Sequence, residues 1–186
     1  MKLRGTQQQD GGDEGVQVLW APWRMRYIEE GTTNECIFCS SAAPEAQRRN
    51  LILAVTPSAR VMLNKYPYNN GHLLVAPCRH TALLADLPEH EYNDLMVLLR
   101  RTLTVIETAL HPHGVNIGLN LGACAGAGIV DHLHWHIVPR WHGDTNFMPV
   151  IGEVKVMPQH LRESYDQLRP FFAAALQSER EGSDQR

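Results

Sequence analysis

The sequence predicts an α+β domain, an antiparallel sheet carrying one long helix on one face. Three observations lead there. A long segment repeats apolar side chains at helical spacing. Five short runs rich in β-branched and apolar residues are separated by Pro, Gly and Asn. The run Asp131-His132-Leu133-His134-Trp135-His136-Ile137 alternates imidazoles with large apolar groups, the period of an extended strand.

In chain order, Leu51 to Val55 and Arg60 to Leu63 read as strands joined by the short turn Thr56-Pro57-Ser58, and His72 to Ala76 as a third. The long helix is predicted from about Leu87 to Leu110, because Tyr92, Leu95, Met96, Leu99, Leu103, Ile106 and Leu110 share one face. Asp86 with Glu89 marks its start, and Pro112 to Gly114 its end. Val115 to Leu121 and His132 to Val138 are the remaining strands, and a last helix is predicted over Gln159 to Leu176 with Pro170 breaking or restarting it. Residues 1–15 and 178–186 are polar and read as disordered tails around a single domain, 16–177, with no internal repeat or linker.

Composition sets broad limits. A chain of 186 residues with 44% hydrophobic side chains can fill a core. A net charge of −3 gives no electrostatic footprint for duplex nucleic acid or an anionic membrane, so no nucleic acid or membrane partner is expected. No run is long and apolar enough for a membrane span, and the start lacks a secretory apolar segment. A cytoplasmic protein is expected, with its four cysteines as thiols or metal ligands.

On a strand, His132, His134 and His136 face one way and Leu133, Trp135 and Ile137 the other. Core packing alone rarely asks for three imidazoles in a row, since each buried ring needs partners for its nitrogens. The residues leave open an exposed histidine-rich edge, a catalytic zinc held by the three rings, or a nucleophilic site. Asn120 to Ile129 is a glycine and alanine loop through which backbone amides can approach a phosphate, with Gly126, Ala127 and Gly128 as candidates. Cys36-Ile37-Phe38-Cys39 is half a zinc site, a redox pair or neither; no strand feeding a helix supports the redox reading.

His132-Leu133-His134-Trp135-His136-Ile137-Val138 resembles the signature of the histidine triad family. Leu63 to Pro77 is similar to the family's first nucleotide-binding strand pair, and Asn120 with Gly122 to its Asn-x-Gly element, so the likeness spans about Leu19 to Gly152. The resemblance implies a five-stranded antiparallel sheet and a homodimer. It implies that His134 is a nucleophile that becomes nucleotidylated, that His132 supplies the carbonyl orienting it, and that His136 contacts the α-phosphate or protonates the leaving oxygen. Asn64 would bond a ribose, with Leu63 and Ile37 walling the base, and Asn120 a phosphate; His72 matches a position near the site and reads equally well as structural. Where many relatives carry Gln followed by Ser or Thr, this chain has Ala127 and Gly128, so the likeness supplies no side-chain proton donor for the leaving group.

Around the cysteine pair the chain looks similar to many bacterial members of the family, and that resemblance implies one structural zinc held by Cys36, Cys39, His80 and His132; no organic cofactor is implied. Leu19 to Ile28 and the run from His134 through Trp141 to Pro149 resemble the bacterial branch described as diadenosine tetraphosphate phosphorylases. Arg140 would then meet a distal phosphate and Trp141 stack on a purine. The implied substrates are a dinucleoside polyphosphate and inorganic phosphate. Use of water instead makes a hydrolase of dinucleoside polyphosphates or nucleoside phosphoramidates, and His136 keeps that open. A zinc-dependent hydrolase and a non-enzymatic adaptor are the readings from other classes.

Overall fold

A computed structural model of the chain describes residues 36–144 and 159–183, with side chains through 177. The predicted amino-terminal tail, the Leu19 to Ile28 segment and the stretch from Thr145 to Pro149 lie outside the described residues.

Five strands form one antiparallel sheet: β1 (Ile52–Val55), β2 (Ala59–Leu63), β3 (Leu73–Pro77), β4 (Gly114–Leu119) and β5 (Trp135–Arg140), in the order β1-β2-β3-β5-β4. A short helix α1 (Pro44–Gln47) precedes the sheet, α2 (Glu89–Leu110) connects β3 to β4, and α3 (Leu161–Ser183) follows β5. The α+β prediction is confirmed.

Alternation along the strands divides the core. Val61, Leu63, Leu73, Val75, Leu133 and Ile137 face α2 and α3 and pack with Leu95, Leu98, Ile106, Leu168 and Phe172. Met62, Leu74 and Ala76 point to the other side, where they meet Phe38 and Ile52. β3 is therefore buried on both faces, and a residue of β5 that points away from the helices enters a pre-walled site. Burying this many aliphatic side chains, at roughly 1.5–3 kcal/mol each, fixes the register that decides which face each histidine takes.

The helices depart from prediction for identifiable reasons. Leu87 is extended, as a residue before proline prefers to be, so α2 starts at Glu89 and Leu84–Asp86 makes a separate 3-10 turn. Its buried face centres on Leu95, Leu98, Thr102, Val105 and Ile106, while Tyr92 is exposed. Thr102 tolerates burial because its hydroxyl donates to the Leu98 carbonyl at 2.8 Å. The last helix runs through Pro170 without interruption and reaches Ser183, beyond the predicted end at Leu176 and into the predicted tail. Tyr165, Leu168 and Phe172 bury one stripe on both sides of the exposed Pro170, and the Tyr165 hydroxyl donates to the Ile52 carbonyl at 3.1 Å.

β5 begins at Trp135, three residues later than predicted, although the alternation persists upstream. The Leu133 amide donates to the Thr81 carbonyl at 2.7 Å, outside the sheet ladder. The His132 carbonyl is taken by the His134 ring. β4 ends at Leu119, which leaves Asn120 and Leu121 in the loop. Among the described residues no helix is long and apolar enough to cross a membrane.

Candidate active site and metal centre

His134 is 4% exposed, and its ring lies 4.8 Å from that of Phe38 and 4.9 Å from that of His136. Its Nδ1 is 2.9 Å from the His132 carbonyl oxygen. A carbonyl only accepts, so Nδ1 carries the proton and Nε2 keeps its lone pair. Burial pushes the imidazole's pKa down, which favours that neutral form. The result is an oriented, unprotonated nitrogen on the strand face away from the helices.

His136 is polarised through a chain of donors. The Tyr68 amide donates to His72 Nδ1 at 3.0 Å, and Asn64 Nδ2 lies 3.3 Å from the same atom, oriented by the Tyr66 amide on Asn64 Oδ1. His72 Nδ1 is thus an acceptor, its proton sits on Nε2, and Nε2 donates to His136 Nδ1 at 3.0 Å. His136 is left with an Nε2–H. Burial lowers its pKa to about 4, with the neighbouring His134 as a lesser cause. The Tyr68 ring lies nearly parallel to the His136 ring at 5.6 Å and 4.6 Å from that of His72.

His132 serves a different centre. Its Nε2 donates to the Pro77 carbonyl at 3.0 Å, so Nδ1 presents a lone pair. That Nδ1 is 3.3 Å from Cys36 Sγ, 3.6 Å from Cys39 Sγ and 3.2 Å from His80 Nδ1, and Cys39 Sγ is 3.3 Å from His80 Nδ1. A tetrahedral ion with metal–sulfur bonds of about 2.3 Å and metal–nitrogen bonds of about 2.0–2.1 Å separates its ligand atoms by roughly 3.3–3.8 Å. The four side chains, whose ligand atoms lie within 4.8 Å of one another, therefore fit a metal centre. Desolvation holds His132 down to about 4, the neutral form a metal requires.

A sequence model of the HIT domain matches residues 45–143. The chain is 41% identical over 170 residues to the AP-4-A phosphorylase of Mycobacterium tuberculosis, covering 87% of this chain and 85% of that protein. The chain belongs to the histidine triad family. The bis(5'-adenosyl)-triphosphatase of Dictyostelium discoideum is 28% identical over 131 residues, covering 67% of this chain and 87% of that protein. Among solved structures, a Zn-bound histidine triad family protein from Mycobacterium smegmatis superposes with a TM-score of 0.58 at 26% identity, covering 77% of this chain and 97% of that one.

Not every predicted residue of this histidine triad protein joins the site. Asn120 leaves β4 next to Leu119, which pairs with Trp135. In the following loop Gly122 and Gly126 adopt left-handed φ angles of 81° and 88° around a 3-10 turn, and the amides of Gly126 and Ala127 donate to the carbonyls of Ala123 and Gly122. Those two amides are engaged within the loop. Gly128 lies just beyond the turn. Arg140 lies four residues along the strand from His136, roughly 13 Å away at strand rise. Its guanidinium is bidentate on Asp144, at 2.7 and 2.8 Å, and donates to Asn116 Oδ1 at 3.0 Å. Among its hydrogen bonds none reaches His134 or His136. The Trp141 amide donates to the same carboxylate at 3.1 Å.

His72, read from the sequence as equally structural or functional, is the partner that fixes the His136 proton. Its signals were a Gly-His pair opening a strand and a match to a family position near the site. Gly71 sits at φ +67°, where a side chain would run into Leu110. The three triad rings do not converge on one point: among the described residues the metal-type group contains His132 alone of the three. Cys78 and Cys124 stand outside that group.

Proposed function

We propose that the protein transfers a nucleotidyl group from a dinucleoside polyphosphate to inorganic phosphate, converting diadenosine tetraphosphate and phosphate to ADP and ATP. The observation that carries this is His134, with Nδ1–H bound to the His132 carbonyl and Nε2 unprotonated beside His136.

In the first step His134 Nε2 attacks the α-phosphorus, the bond from phosphorus to the bridging oxygen breaks, and the electron pair leaves on ATP. The His136 Nε2–H donates a hydrogen bond to the phosphoryl oxygens as charge moves onto them. In the second step a phosphate oxygen attacks the same phosphorus, the phosphorus–nitrogen bond breaks, and its pair returns to His134 Nε2, releasing ADP. Asn64 and Asn120 are assigned to ribose and phosphate, and Trp141 to a purine. The relative from M. tuberculosis, matched over most of both chains, supports phosphate as the acceptor. Water is the second reading, favoured by His136 and by the D. discoideum triphosphatase relative.

We assign a structural zinc to Cys36, Cys39, His80 and His132, a closed set of four ligands with no open position for substrate. It would anchor the segment around Cys36 to the sheet; the Zn-bound relative from M. smegmatis supports this. A reducing compartment such as the cytoplasm keeps both cysteines reduced, so that they can bind the ion as thiolates. A homodimer is proposed through the edge strand β4, whose Ile117 is 44% exposed. The test of the chemistry is intact-mass analysis after brief exposure to diadenosine tetraphosphate without phosphate. An adduct of one adenylyl group on His134 supports the proposal, and turnover with no adduct on that residue refutes it.

A further inference from the structure

Asn64 to His72 form the loop between β2 and β3, closed at its ends by the Asn64 amide on the His72 carbonyl at 2.9 Å. Within it the Tyr68 amide must point at His72 Nδ1 for His72 to donate from Nε2 to His136. Tyr68 directly precedes Asn69, so holding Asn69 limits where Tyr68, and with it the amide it shares with Pro67, can sit. Asn69 Nδ2 donates to the Asp144 carboxylate at 2.7 Å and to the Pro139 carbonyl at 3.0 Å, and the Asn69 carbonyl accepts the His72 amide at 3.2 Å.

Asp144 is built as an anchor. Its side chain is 10% exposed and takes four hydrogen bonds, from Arg140 Nε and Nη2, the Trp141 amide and Asn69. Arg140 beside it holds the carboxyl well below the usual carboxylate range. This explains where the Arg140 guanidinium goes: it fixes the carboxylate. A second tether, Ser164 Oγ to Asn70 Oδ1 at 3.2 Å, holds the neighbouring residue to α3 but does not reach Asn69.

We propose that Asp144 is a positioning residue for the histidine pair, acting through Asn69 to aim the Tyr68 amide at His72 and so to fix the proton that His72 gives His136. The inference rests on the proposed role of His136 in turnover. Asp144 touches no reacting atom. Without it Asn69 Nδ2 keeps only the Pro139 carbonyl, the hold on the loop loosens so that the Tyr68 amide can turn away, and His72 can then place its proton on either nitrogen.

The test uses the full chain with Asp144→Ala, Asn69→Ala and the double variant, with Asp144→Asn in place of Asp144→Ala if the latter does not fold. Ring-nitrogen NMR, recorded without substrate, reads the tautomers of His72 and His136; steady-state kinetics with diadenosine tetraphosphate and phosphate read kcat and KM. The expected result is a mixed tautomer signal at His72 and His136 in each variant, with kcat down roughly 10- to 100-fold at little changed KM, as misplacement of a reacting group produces. The double variant should fall no further than either single one. Wild-type tautomer signals in folded variants overturn the proposal, as do losses that multiply in the double variant. If the wild-type protein does not turn over the substrate, the functional reading fails while the NMR arm still decides the positioning claim.

Discussion

The Nδ1 of His134 lies 2.9 Å from the carbonyl oxygen of His132, while the ring of the same His132 faces Cys36, Cys39 and His80. One residue thus orients the nucleophile with its backbone and closes the metal group with its side chain. The proposed nucleophile and the metal-type group share a residue while His134 itself stands outside that group, unlike the arrangement a metal-dependent hydrolysis on all three rings would need.

His134→Ala should therefore keep its metal and its fold while losing turnover on the order of 10^4-fold or more, as removal of a covalent nucleophile does. Metal content by mass spectrometry, measured alongside activity, checks this. Loss of metal in the variant would mean that His134 is a ligand.

Cys39→Ser removes one thiolate from the centre, so the variant should bind zinc weakly and lose the stabilisation that the metal gives the wild type. At zinc a hundredfold above its dissociation constant that stabilisation is about 2.7 kcal/mol. Thermal unfolding with and without a chelator reads it. Equal melting temperatures for wild type and variant under both conditions would contradict a structural metal.

Stability should fall as pH drops from about 6.5 to about 4. The folded His136 has its pKa lowered from 6.5 to about 4, so in that window the unfolded chain binds more protons and acid favours unfolding. The contribution is fully present above 6.5. Asp144 and Asp166, whose usual value is 3.8 and whose arginine partners lower them, lose their contribution only below that window. Urea midpoints at pH 7 and pH 5 should differ in that sense, and an equal or higher midpoint at pH 5 would contradict the burial of a neutral ring.

His72→Ala should lower kcat by about 10²-fold, the lower range for loss of a positioned proton-handling group, and leave metal content unchanged. His72→Gln, which can still present an N–H to His136 Nδ1, should recover part of the loss. Equal rates for the two variants would assign His72 to packing alone.

Much of this architecture was legible in the sequence because the period-two and period-3.6 patterns carry over into the folded elements, even where the buried helical face is rotated from the predicted one. Leu133, Trp135 and Ile137 packed toward the helices as alternation requires, and Cys36, Cys39, His80 and His132 came together from distant positions. The polarity of the His72–His136 bond was not legible. Which nitrogen of His72 bears the proton depends on the Tyr68 amide, and a loop's amide direction leaves no trace in residue type. Arg140 is assigned to a distal phosphate by resemblance, and residue type alone does not show that its guanidinium is held by Asp144 four residues later. The start of β5 was misplaced because the His134 ring takes the His132 carbonyl, a side-chain competition invisible to strand periodicity. Pro170 likewise read as a break, but the buried stripe of Tyr165, Leu168 and Phe172 carries the helix past it.

The most direct measurement is product analysis after incubating the full chain with diadenosine tetraphosphate, with and without inorganic phosphate. ADP and ATP should form only when phosphate is present, and His134→Ala should abolish all turnover. AMP and ATP formed at the same rate with or without phosphate would contradict phosphate as the acceptor, and activity persisting in His134→Ala would contradict the nucleophile itself.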